Sequence, residues 1–140
     1  MGSPGGMDVT MARRIEVPIS VGELVDKVTI LEIKSEKIPD AGKLANIRRE
    51  LDALTAVLKP SLAATPALAA LKAELRTINE TLWRIEDEIR DCERQRDFGA
   101  PFVELARSVY RTNDRRAATK RKIDELTGSE LLEEKSYAPY

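Results

Sequence analysis

Leu68, Leu71, Leu75, Ile78, Leu82, Ile85, Ile89 and Cys92 recur at alternating spacings of three and four, which lines one face of an α-helix and no face of a strand. Such a seam needs a partner. Thr65-Pro66 supplies an N-cap and a first-turn proline ahead of it, so a helix is predicted over 66–97, with Gly99 ending it in a left-handed conformation. Leu44, Ile47, Leu51, Leu54 and Leu58 repeat the alternation between the turn Pro39-Asp40-Ala41-Gly42 and Pro60, predicting a helix over 43–59. A sustained seven-residue repeat keeps a seam facing one neighbour, so these two helices are expected to pair in an antiparallel, coiled-coil-like manner.

Two further helices follow from punctuation. Ser20-Val21-Gly22-Glu23 is a capping-box pattern and predicts a helix over 20–37 with Val21, Leu24, Val28 and Leu31 on its apolar stripe. Pro101 opens a helix over 101–126 carrying Phe102, Leu105, Val109, Ile123 and Leu126, and Thr127-Gly128-Ser129 stops it. Ile15, Val17 and Ile19 alternate with polar residues and Pro18, as a short edge strand would. The expected fold class is all-α: an antiparallel bundle of four main helices over 15–128, preceded by a leader at 1–14 and followed by a charged and aromatic tail at 129–140. Met1-Gly2-Ser3-Pro4-Gly5-Gly6 reads as an expression remnant. The third helix would extend about 48 Å and the second about 25 Å at 1.5 Å per residue. That overhang motivates an expectation of self-association, as a dimer.

Composition narrows the chemistry. The 140 residues include 23 basic and 24 acidic side chains, no histidine, one cysteine and 4% aromatics. Cys/His zinc sites, Ser-His-Asp and Cys-His catalysis and an internal disulfide framework are thereby excluded, and base-stacking nucleic-acid platforms are disfavoured. No run approaches the roughly 20 apolar residues of a membrane span, and the cytoplasm is the expected compartment. Glu23-x-x-Asp26 and Glu88-x-x-Asp91 have a spacing that could offer oxygen ligands to magnesium, but a chain with 34% charged residues produces such pairs by chance. No metal or cofactor is assigned.

The polar residues that interrupt this pattern are the candidate site. Asn79, Trp83, Glu86, Arg90, Glu93 and Asp97 form a stripe offset from the leucine seam, with Asp87 beside it. The stretch 107–122 holds seven basic residues and one acidic, whereas 86–97 holds six acidic and three basic, so the two are expected to pair across the hairpin. A tight reversal at Gly99 and Pro101 would bring Arg90 and Glu93 near Arg107, and Trp83 with Asp87 towards Asn113 and Asp114. Asp26 and Lys27 of the first helix could complete a patch that also takes in Glu86, Tyr110 and Arg116. Two functions fit. One is a non-catalytic oligomeric interaction module, with a second copy or another protein as partner. The alternative is a small-anion site, enzymatic or not, in which Arg90, Arg107, Arg111, Arg116 or Lys120 hold phosphate, nucleotide or carboxylate groups while Glu86 or Asp87 serves as base or magnesium ligand.

Ile15-Glu16-Val17-Pro18-Ile19-Ser20-Val21-Gly22-Glu23, Asp26-Lys27-Val28-Thr29-Ile30-Leu31-Glu32-Ile33-Lys34 and Leu82-Trp83-Arg84-Ile85-Glu86-Asp87 resemble blocks of an uncharacterised bacterial family, a domain of unknown function. Asp97-Phe98-Gly99, Leu105-Ala106-Arg107-Ser108-Val109-Tyr110, Asn113-Asp114-Arg115-Arg116 and Glu133-Glu134-Lys135-Ser136-Tyr137 are similar to its other blocks. The resemblance implies no activity. It places emphasis on the same polar stripes.

Overall fold

A computed structural model describes residues 13–140. The expected leader therefore lies, apart from Arg13 and Arg14, outside the described residues. Four helices follow in order: α1 (Val21–Lys37), α2 (Ala41–Ser61), α3 (Pro66–Gln95) and α4 (Ala100–Thr127). Of the described residues 75% are helical and none is in a strand. The expected edge strand is absent: Ile15, 82% exposed, and Val17, 67% exposed, run without regular structure. Without a neighbouring strand, an isolated extended segment gains no ladder hydrogen bonds.

The caps show why the helices begin where they do. Ser20 Oγ accepts the Glu23 N–H at 3.0 Å, Asp40 Oδ2 that of Lys43 at 2.8 Å, and Thr65 Oγ1 that of Leu68 at 3.2 Å. Only half of the capping box forms, because the Glu23 carboxylate turns to Lys120 at 2.5 Å. At the end of α3 the left-handed residue is Arg96, with φ 55°, and not Gly99. Gly99 instead is the N-cap of α4, taking Asp97 Oδ1 on its N–H at 3.1 Å while its carbonyl accepts from Val103. The αL conformation that sequence assigns to Gly99 thus falls three residues earlier, where the Arg96 N–H reaches the Cys92 and Glu93 carbonyls. Gly128, with φ 66°, closes α4 as expected.

Helix α1 is the hub. It packs against α2, α3 and α4, and the most extensive contact in the protein joins α3 to α4. The expected pairing of the second and third helices does not form, because the backbone of α2 approaches α1 alone. Burial explains the exchange: Val25, Val28, Leu31 and Ile33 are all nearly inaccessible, so α1 is apolar on a wide enough arc to seat all three neighbours. Val25, Leu75 and Ile123 meet at the centre of the core, with Val21, Leu58, Leu68 and Leu71 packed around them. The overhang of α3 is taken up within the chain, where Ile85 is buried and Ile89 and Cys92 are half-buried.

Candidate functional site

A seam of polar groups runs through the contact of α1, α3 and α4. Asp26 and Thr29 sit on the buried face of α1, at 1% and 0% exposure. Asn79 of α3 donates through Nδ2 to Asp26 Oδ1 at 2.9 Å and to Thr29 Oγ1 at 3.0 Å. From α4, Arg116 grips the same carboxylate as a fork, Nε to Oδ1 at 3.0 Å and Nη2 to Oδ2 at 2.5 Å. Donating these hydrogen bonds to Asp26 raises the Arg116 guanidinium above its already high ordinary range.

Two turns further along α4, Asp124 is wholly buried and accepts the Gly22 N–H at 2.6 Å and the Glu133 N–H at 2.8 Å. Beside it, Lys120 Nζ lies 2.5 Å from Glu23 and 3.0 Å from Glu133. Burial opposes the Lys120 charge, yet hydrogen bonds to the two glutamates outweigh it and hold the ammonium above the usual lysine range. Every buried side-chain polar atom among the described residues has a hydrogen-bond partner.

The tail after α4 closes this seam from outside. Arg121 donates to the Glu133 carbonyl at 3.2 Å and to Glu134. Lys135 Nζ lies 2.8 Å from Asp114, and the Tyr140 hydroxyl donates to Asp114 Oδ2 at 2.7 Å while its ring meets Tyr110 edge-on. Tail and α4 together wall a cleft of about 1090 Å³ that includes Tyr110, Asn113, Asp114 and Arg116. Hydrogen bonds from Lys135 and Tyr140 hold the Asp114 carboxyl below the ordinary aspartate value of 3.8. A depressed folded-state value stabilises docking above the ordinary value and is lost as pH falls through and below it. The edge-on contact of the Tyr140 ring with Tyr110 is therefore expected to be lost on acidification below 3.8, read as nuclear Overhauser effects between the two rings, while the amides of α1 and α4 remain protected from exchange. Ring-to-ring effects that persist unchanged below that pH would contradict this.

A second cleft, of about 440 Å³, opens between α1 and α3. Of the sequence-predicted residues, Trp83, Glu86, Asp87 and Arg90 line it with Arg116, which also lines the first cleft. Asp26 lies behind Arg116 and binds it. Lys27 stands apart, exposed and paired with Glu23 at 3.7 Å. Arg107 also stands apart, paired with Glu104 on its own helix at 3.3 Å, while Arg90 pairs with Glu86 at 3.0 Å.

The expected pairing of the basic stretch of α4 with the acidic stretch of α3 does not occur among the described residues. Arg116 and Lys120 turn to Asp26 and Glu23 of α1, Lys120 and Arg121 to Glu133 and Glu134 of the tail, and Arg107, Arg111 and Arg121 to Glu104 and Glu125 of α4 itself. Two acidic surfaces nearer than α3 satisfy the cations first. Asp26 and Glu23, expected to have the spacing of magnesium ligands, are engaged by these cations, and among the described residues no cluster of three or more potential metal ligands is present.

Asn79, placed on the polar stripe of the third helix from sequence, belongs to this seam, as do Thr29, Gly22, Asp124 and Glu133, which were not assigned to the site from sequence. Their signal was present: Asp26 and Thr29 flank Val25 and Val28 on an apolar stripe, and Asp124 follows Ile123 on another. Polar residues in core register mark buried polar contacts.

The fold and seam define an all-helical protein in which charge pairs on the buried Asp26 and Lys120 join α1 to α4 and the Asn79 amide joins α3 to α1, with no helix among the described residues long and apolar enough to cross a membrane. Residues 15–140 match the family described as Family of unknown function (DUF6165), and the chain belongs to that family. No curated protein and no solved structure matches the chain.

Proposed function

We propose that this protein is a non-catalytic helical interaction module of the cytoplasm that works as a homodimer, with α2 as its self-association surface. One observation carries the reading. Helix α2 buries only Ile47, while Leu44, Leu51, Leu54 and Leu58 stay half-buried on a helix whose backbone approaches α1 alone, and Val57 beside them is 54% exposed. A seam of heptad spacing that α1 covers only in part, with Ile47 buried, Leu58 reaching the core and Leu44, Leu51 and Leu54 half-covered, can be completed by the same seam of a second copy related by a two-fold axis. Leu54→Glu and Val57→Glu are each expected to convert dimer to monomer, read by light scattering, with unchanged helical circular dichroism. Folded variants that keep the parent mass would remove α2 as the surface.

A second reading, a small-anion site in the polar patch built by α3 and α4, is supported by Arg116. Asp26 fixes its Nε and Nη2, while Nη1 makes no hydrogen bond among the described residues. A cation oriented by a buried carboxylate is ready for an anion at no further ordering cost.

A further inference from the structure

We infer that the cleft between α1 and α3 binds a small monocarboxylate with an apolar body, a proposal that rests on the small-anion reading and names its ligand class. The apolar body is written in the walls: Ile33 is 2% exposed at the floor, with Ile30, Leu82 and the half-buried ring of Trp83 around it. The volume of about 440 Å³ falls in the range of small-molecule sites, roughly 300–1,000 Å³.

The charge is written at the rim. Lys34 is half-buried on the cleft and pairs with no carboxylate among the described residues, its neighbours Glu32 and Glu36 being turned to Lys72 and Arg76. Arg116 adds its uncommitted Nη1. Glu86 is neutralised by Arg90 at 3.0 Å. Asp87, also on the rim, repels a second negative charge, which selects a monocarboxylate over a phosphate dianion.

Trp83 is the only tryptophan, so its fluorescence reports on the cleft directly. Octanoate, titrated into the full chain, is expected to change that emission saturably, and octanol, with the same body and no charge, to bind about tenfold more weakly. Lys34→Met, which keeps most of the alkyl stem, should weaken octanoate by about tenfold, and Lys27→Met, outside the cleft, should not. Equal affinity for octanoate and octanol, or no effect of Lys34→Met in a protein of unchanged circular dichroism, overturns the proposal. Acetate and inorganic phosphate separate the two layers. If either raises thermal stability as much as octanoate and in a Lys34-dependent way, the anion site stands and the apolar body falls; if none of the three anions binds, both fall.

Discussion

Asp26→Ala is expected to lower the free energy of unfolding by about 3–5 kcal/mol, the cost of breaking a buried ion pair on one side. The carboxylate is 1% exposed and receives three hydrogen bonds, two from Arg116 and one from Asn79. Its removal leaves the guanidinium half-desolvated without a counter-charge and strips Asn79 of an acceptor. Arg116→Met with Asp26→Leu, replacing both partners by apolar groups, should recover much of the loss, because the penalty lies in the orphaned charge more than in the lost attraction. Urea unfolding followed by circular dichroism measures both. A loss under about 1 kcal/mol for the single variant, the size of an exposed pair, would show that the seam does not hold the helices together.

Gly22→Ala is expected to cost about 3 kcal/mol or more, combining an overpacked contact with a weakened hydrogen bond to a charged group. A carbon added at Gly22 would stand 2.3 Å from the Lys120 carbonyl oxygen and 2.8 Å from Asp124 Oδ1. The first of these is backbone and cannot swing aside, so α1 must move off α4, pulling the Gly22 N–H from Asp124, now 2.6 Å away. Gly42→Ala is the control. Its added carbon meets only the Asp40 side chain at 3.3 Å, and a change under about 1 kcal/mol is expected. Equal effects at the two glycines would contradict the close approach of α1 to α4.

These residues also show how far the sequence could be read. The four helices were legible because prolines, caps and the spacing of three and four act locally, and Ser20, Asp40 and Thr65 cap as their types dictate. Which helix packs on which was not legible, because the leucines of α2 fit α1 as well as α3 and only the breadth of the apolar arc on α1 decides between them. Charge pairing failed for a related reason: counting acids and bases along α3 and α4 ignores the glutamates that α1 and the tail bring closer. The site was half legible. Trp83, Glu86, Asp87, Arg90 and Arg116 do share a cleft, whereas Tyr110, Asn113 and Asp114 line the other one with the tail, and only Arg116 belongs to both.

The buried polar atoms of the seam are all partnered inside the chain among the described residues, and the half-covered apolar face of α2 is the surface on which the dimer reading rests. Sedimentation equilibrium of the full chain across a hundredfold range of concentration tests the interaction-module reading most directly. The expected mass at the upper end is about 31 kDa, twice the 15.6 kDa of one chain, falling towards 15.6 kDa on dilution. A mass of 15.6 kDa at every concentration would contradict it.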